Sequence, residues 1–247
     1  MKKITHNTIW IYGKHAVFAA LKNPNRKCHT LLVTKHTYPE ILNSAIPNNK
    51  KIQIIITDIN TIASRLPHGA VHQNIALEIS PLPNLSLETL INNISNTKNC
   101  IIILDQITDP HNIGAILRSA AAFDCLCVII PRNHAPNENS TIAKSSSGAL
   151  ESVPLIRVIN LAHTINYLKS VGYWSIGLDA SSSTYLTDNK LPDKAVFIMG
   201  NEEAGLRRLT KEKCDFLMKI PISEKIESLN VSNAAAITLY TFFLSTR

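Results

Sequence analysis

Leu104-Asp-Gln-Ile-Thr-Asp-Pro-His-Asn-Ile-Gly-Ala-Ile-Leu-Arg-Ser-Ala120 follows directly on the apolar run Ile101-Ile102-Ile103. The run reads as a buried strand. Polar and turn-forming residues come next: Asp105, Gln106, Thr108, Asp109 and Pro110. A helix pattern then begins. Asn112 is placed as its N-cap, because a short side-chain carbonyl accepts from first-turn N–H groups that have no partner in the helix. Gly114 lets a backbone or a ligand approach closely. Arg118 lies one to two turns in, and its side chain leans back towards the helix start. A strand ending in a polar loop that feeds a helix is where open α/β sheets place their chemistry. Taken alone, the stretch is equally an ordinary βα turn with a capping Asn and a surface Arg.

The pattern continues outward on the C-terminal side. Strands are expected at 101–105, 127–131, 155–159, 174–179, 195–200 and 216–222, and helices at 113–123, 141–148, 162–171, 203–212 and 231–245. Continuous apolar strands such as Cys127-Val-Ile-Ile130 and Ala195-Val-Phe-Ile-Met199 suit a parallel sheet covered on both faces. On the N-terminal side, residues 1–12 read as an arm ending in Trp10 and Tyr12. Beyond it, helices at 13–21, 38–45 and 58–66 alternate with strands at 29–35 and 51–57. A glycine turn then leads into a strand ending at Ile79. Ser80-Pro-Leu-Pro-Asn-Leu85 has two prolines and no period, and reads as a linker. Residues 86–95 are expected to form a short helix.

Charge divides the chain at the same place. Residues 1–80 hold ten Lys and Arg against three acids, whereas residues 81–247 hold 15 of each, so the whole excess of +7 lies in the first third. That asymmetry points to a polyanion-binding module joined to a neutral one. A hydrophobic share of 45% with 17% charged residues excludes a disordered chain. No apolar run is long enough to cross a bilayer, and Met1-Lys-Lys-Ile-Thr-His carries no apolar leader core, so a soluble cytoplasmic protein is expected. Five cysteines without a C-x-x-C pair read as reduced core thiols. No metal site is indicated, since the histidines 111, 134 and 163 are far apart and differ in context. Neither the dinucleotide glycine pattern nor a P-loop occurs.

Three stretches carry the chemistry. The first is Asn112-x-Gly-x-x-x-Arg118. The second is Phe197-Ile-Met-Gly-Asn-Glu-Glu-Ala-Gly-Leu206, a strand running into Gly200 and Glu202. The third is Lys219-Ile-Pro-Ile-Ser followed by Ser228-Leu-Asn-Val-Ser-Asn-Ala-Ala-Ala236, in which Ser228 or Asn230 would cap a helix. A doubly wound sheet gathers the three at one edge.

Together they resemble the three motifs of the SpoU (TrmH-type) RNA ribose 2′-O-methyltransferases of the SPOUT class, in the family's order and spacing. Tyr12-Gly-x-His-Ala-Val, Gly69-Ala-Val-His-Gln, Gly148-Ala-x-Glu-Ser-Val-Pro-Leu-Ile-Arg157 and Arg207-Arg-Leu-Thr extend the likeness over nearly the whole chain. They point to the branch that methylates a guanosine in the peptidyl-transferase region of 23S ribosomal RNA. The resemblance implies an α/β fold in two parts. A small N-terminal, ribosomal-protein L30e-like α/β domain (1–80) binds RNA. A linker (81–98) leads to a SPOUT α/β domain (99–247) with a deep trefoil knot. It further implies S-adenosyl-L-methionine as cofactor, met by Gly200, Ile220 and Leu229, and a homodimer; helix 231–245, small at its start and apolar towards its end at Tyr240, Phe242, Phe243 and Leu244, is the candidate for its interface. The catalytic set it implies is Arg118, Asn112, Glu202, Ser228 and Asn230.

Within that set the family assigns Arg118 to activate the hydroxyl; Asn112 is expected to position Arg118 or the ribose, Glu202 to orient Arg118 by a bidentate pair, and Ser228 and Asn230 to complete the hydrogen bonding around the ribose. A transfer-RNA 2′-O-methyltransferase of the same family and a non-catalytic RNA-binding protein are the alternatives. A fragment starting near Asn96 carries every motif, and is expected to fold, dimerise and bind cofactor.

Overall fold

The computed structural model describes residues 8–43, 51–95, 97–188, 190–202 and 204–246. The chain forms two compact units. One joins residues 1–83 with 137–152; the other joins 84–136 with 153–247.

The first unit begins with β1 (Ile9–Tyr12), α1 (Lys14–Lys22), β2 (Cys28–Val33), α2 (Tyr38–Leu42), β3 (Gln53–Ile56), α3 (Ile59–Ala63) and β4 (Ile75–Ile79). The strands form one sheet in the order β1-β4-β2-β3. β4 runs antiparallel to both neighbours, and β2 and β3 are parallel. β1 corrects the expectation of an arm. Ile11 and Tyr12 are buried, and Ile9 pairs with Ile79 at the far end of the chain segment. Four residues are too few to show a period, so this strand is specified by its partner. Asp58 caps α3 as expected, its carboxylate accepting from Thr61 N–H at 2.9 Å. The expected helix 38–45 is described only to Leu42, and residues 44–50 lie outside the described residues.

The second unit comprises α4 (Leu87–Asn92), β5 (Asn99–Leu104), α5 (Pro110–Ala122) and β6 (Val128–Pro131). After α6 (Ser140–Ser145), which belongs to the first unit, come β7 (Leu155–Val158), α7 (Leu161–Ser170), β8 (Trp174–Leu178), β9 (Lys194–Met199), α8 (Arg208–Lys213), β10 (Phe216–Met218) and α9 (Val231–Ser245). All six strands are parallel, in the order β10-β8-β9-β5-β6-β7. Strand parity sends Ile101, Ile103, Val196 and Ile198 to one face, where Leu161, Ile165 and Leu168 of α7 cover them. Phe197 faces the other way and meets Phe242 of α9 edge-on, with centroids 5.8 Å apart. Helices therefore cover both faces, as the continuous apolar strands predict. No helix among the described residues is long and apolar enough to cross a membrane. All five cysteines are thiols; Cys28, Cys100, Cys125 and Cys127 are buried, and burial pushes the Cys127 thiol well up.

Segment 137–152 was expected to belong with the C-terminal part. It packs in the first unit instead, and its two carboxylates explain why. The Arg26 side chain is fully buried. Its guanidinium donates to Glu151 (2.7 Å), Glu138 (2.5 Å) and the Ser80 carbonyl (3.0 Å). The excess charge of the first third is thus partly spent inside the fold. Arg26 is shielded, and Lys14 pairs with Glu40 at 2.7 Å.

Candidate functional site

The three motif stretches meet at the C-terminal ends of β5 and β9 and the start of α9. Each reaches that place for a local reason. Asp109 and Pro110 start α5: the Asp109 carboxylate accepts from His111 N–H at 2.8 Å, and proline takes the first helical position, where its missing N–H costs nothing. Asn112 is therefore not the N-cap, which corrects the sequence expectation. Relieved of capping, its amide is free to reach across the sheet edge. Asn112 Nδ2 donates to Glu202 Oε1 at 2.5 Å, and Asn112 Oδ1 accepts from Asn230 Nδ2 at 3.1 Å. Asn230 also caps α9, with its Oδ1 accepting from Ser232 N–H at 2.9 Å. One residue from each motif thus joins a single chain of hydrogen bonds, Glu202–Asn112–Asn230.

Arg118 stands apart from that chain. It is exposed, and among the described residues it makes no hydrogen bond or ion pair. At about 100° per residue it sits roughly 240° around α5 from Asn112. The expected Glu202–Arg118 pair is absent; Glu202 holds Asn112 instead. Ser228 is exposed and does not join the chain.

Beside this cluster lies an open cavity of about 810 Å³. Gly200, Ile220 and Leu229 line it, together with Glu202 and Ser228. A volume of that size suits a ligand of a few tens of heavy atoms. Its walls come from the strand ends and from the chain after β8 and after β10. Those two connections are tied together: Lys219 N–H donates to the Thr184 carbonyl at 2.9 Å, and Leu186 N–H to the Lys219 carbonyl at 2.8 Å. Gly200 is required by the chain itself. A Cβ there would lie 2.2 Å from the carbonyl carbon of Gly205, inside the turn in which Asn201 and Gly205 exchange backbone hydrogen bonds.

Sequence reasoning passed over several residues here. Asp105, at the end of the expected strand 101–105 and the start of the polar stretch, is buried and accepts from Arg207 (2.7 Å) and from the Thr210 hydroxyl (2.6 Å). It ties the start of α8 to the end of β5, and Asn201 Nδ2 adds a bond to the Gln106 carbonyl at 3.2 Å. The signal was an acid directly after four apolar strand residues. In the cavity wall, Asp179 pairs with Lys211 at 2.6 Å. Burial alone would raise the Asp179 carboxyl, but Lys211 and the Ser181 N–H and hydroxyl outweigh it and hold it below the usual carboxylate range.

Residues 99–240 match the profile of the SpoU rRNA Methylase family, and residues 10–85 that of RNA 2'-O ribose methyltransferase substrate binding. The chain is 39% identical, over 93% of its length and 92% of the relative's, to the 23S rRNA (guanosine-2'-O-)-methyltransferase RlmB of Neisseria meningitidis serogroup B. It is 36% identical over 94% of its length to an uncharacterized tRNA/rRNA methyltransferase of Synechocystis, of which it spans only 62%. Among solved structures, the SpoU methyltransferase AviRb of Streptomyces viridochromogenes, in complex with the cofactor AdoMet, superposes with a TM-score of 0.81. That match is 21% identical and covers 97% of this chain and 90% of AviRb.

Proposed function

Because the chain belongs to the SpoU rRNA methylase family, we propose that it methylates the ribose 2′-hydroxyl of a guanosine in 23S ribosomal RNA, using S-adenosyl-L-methionine. The observation that carries this reading is the hydrogen-bonded chain Glu202–Asn112–Asn230 standing beside the cavity lined by Gly200, Ile220 and Leu229. The cavity fits the cofactor in size, and its wall offers the apolar Leu178, Met199, Ile220 and Leu229 next to the open backbone at Gly200. S-adenosyl-L-methionine supplies an electrophilic methyl group.

The chain's own residues then hold the acceptor. Asn112 has its carbonyl and one N–H engaged, so its amide cannot flip. Its second N–H and the free Glu202 oxygen remain for ribose hydroxyls. Arg118 is not a base, because a guanidinium stays protonated. It grips the phosphate next to the target ribose and stabilises the alkoxide that forms as the hydroxyl proton leaves to that phosphate or to water. Ser228, at the cavity wall, completes the hydrogen bonding around the ribose.

The same reading includes the family's trefoil knot, the cytoplasm as the site of action, and a homodimer. For the knot, the support is the backbone pairing between the connections after β8 and after β10. For the homodimer it is the outer face of α9. There Ile237, Tyr240 and Leu244 are exposed, and the Phe123 and Tyr240 rings meet tilted by 55° with centroids 5.4 Å apart. Phe242, expected on that face, turns inward to Phe197. Mapping 2′-O-methyl groups on ribosomal RNA from a strain lacking the gene tests the function. One guanosine should lose its methyl group and regain it when the gene is restored. An unchanged 23S map, or a loss on transfer RNA, would refute it.

A further inference from the structure

The first unit holds a lysine that neither the three motifs nor the substrate-binding match includes. Lys144 lies on α6, outside residues 10–85. Its Nζ donates to Gln73 Oε1 at 3.1 Å, and the same oxygen accepts the Lys14 backbone N–H at 3.0 Å. The ammonium stands 5.9 Å from the centroid of the Tyr12 ring. It also fills the space beside Gly13, where a Cβ would lie 2.3 Å from Nζ. Gly13 has φ 88°, a backbone conformation that favours glycine. Gln73 and Asn74 are both left-handed, at φ 55° and 63°, and His72 Nδ1 accepts from Asn74 N–H at 3.1 Å. Three segments distant in sequence, 12–14, 72–74 and α6, therefore converge on one ammonium.

The protein does not answer that charge. Among the described residues Lys144 makes no ion pair. The acids of this unit are engaged elsewhere: Glu40 with Lys14, Glu138 and Glu151 with Arg26, Asp58 with Thr61 N–H, and Glu78 with the Thr8 hydroxyl. An ammonium has three N–H donors, and Gln73 takes one. The aromatic face offsets part of the charge. Burial pushes the Lys144 ammonium below the usual lysine range.

We propose that Lys144, seated on Gly13 and held by Gln73, is a contact point for a backbone phosphate of the RNA substrate. The proposal rests on the reading of RNA as substrate. The half-buried ammonium keeps an open side, and its two remaining N–H groups suit phosphate oxygens. A point charge of this kind positions a strand without reading its bases. It also explains why segment 137–152 packs in the RNA-binding unit: the segment brings the cation, and its two carboxylates are spent on Arg26.

The test is binding of a 23S ribosomal RNA transcript by the full-length protein over a salt series, for wild type, Lys144→Gln and Lys144→Arg. Glutamine keeps a donor for Gln73 and removes the charge. The expected result is a several-fold loss of affinity for Lys144→Gln and a log–log salt slope shallower by about 0.7–0.9, the share of one phosphate contact. Lys144→Arg should restore the slope, and thermal melting should be unchanged. Wild-type affinity and slope in Lys144→Gln overturn the proposal. Should Lys144→Gln not fold, the ammonium of 13C-methylated Lys144 in the wild type gives the answer. Its pKa should rise on adding the transcript and stay put with inorganic phosphate at the same phosphate concentration. No rise with RNA, or an equal rise with phosphate, overturns it. Failure of the wild type to bind the transcript at all would instead sink the substrate reading.

Discussion

In the second unit, the side chains that meet at Asn112 come from three stretches, each recognisable within about ten residues of sequence. In the first, Tyr12, Arg26, Gln73, Lys144 and Glu151 come together from both ends of a span that runs through the other unit. The difference follows from what each has to do. A transfer site at the edge of a parallel sheet draws its residues from consecutive strand ends, and every strand end leaves a local trace of turn and cap. A surface that grips phosphate needs only charges at suitable spacings, and these can come from anywhere in the chain. Total charge points to the first third as the polyanion-binding part. It could not show that Arg26 is buried or that segment 137–152 packs in the same unit.

The comparison is most exposed to a break at Arg26. Glu151→Ala removes the carboxylate that accepts from both Nε and Nη2 of a fully buried guanidinium. The first unit should lose about 3–5 kcal/mol, the cost of leaving one member of a buried pair uncompensated. Chemical denaturation measures it, and a loss below about 1 kcal/mol would make Arg26 incidental to the packing of 137–152. On the other side, Arg118→Lys should lower turnover by roughly 10²–10³-fold, the range for removing one transition-state donor. The charge is kept, but the fork that grips a phosphate is gone. Titration with S-adenosyl-homocysteine should find cofactor affinity within about twofold of wild type; a joint loss would place Arg118 in the cofactor site instead.

Gly200→Val sharpens the picture of the cavity. The new side chain collides first with Gly205, so the turn that carries Glu202 must move. Cofactor affinity should fall by about tenfold, and stability by about 1–3 kcal/mol from overpacking. Asp109→Ala should cost about 1 kcal/mol as a lost N-cap. Asn112→Ala should cost less stability than that, because Asn112 does not cap α5, and should reduce turnover instead.

Most of the second unit was legible because its strands are continuous apolar runs and its helices open on capping residues. The cap of α9 is the clearest case: of the two candidates, Ser228 and Asn230, it is Asn230 that caps the helix. The misplaced cap of α5 shows how such readings fail. Asn112 and Asp109 are equally good capping residues, and the proline after Asp109 decides between them. Asp105 was passed over because its partners, Arg207 and Thr210, lie a hundred residues away. β1 was missed for the same reason, since its only register is the one β4 supplies. The expected linker 81–98 gives way in the packing: residues from Asn84 on belong to the second unit, with Leu87 in its core, and segment 137–152 belongs to the first. A fragment starting near Asn96 keeps the cavity, yet strips segment 137–152 of Arg26 and Gly13. It should therefore bind S-adenosyl-homocysteine but hold RNA with a shallower salt slope than the full chain.

The account stands or falls on where the methyl group goes. Purified protein, 23S ribosomal RNA and methyl-labelled S-adenosyl-L-methionine are sufficient to decide it. A methyl group on the 2′-oxygen blocks attack on the adjacent phosphodiester, so alkaline hydrolysis leaves the labelled nucleoside in a resistant dinucleotide. The account predicts one labelled dinucleotide with guanosine at its 5′ side, absent with Arg118→Lys. Label released as a mononucleotide methylated on the base, or undiminished label with Arg118→Lys, would contradict it.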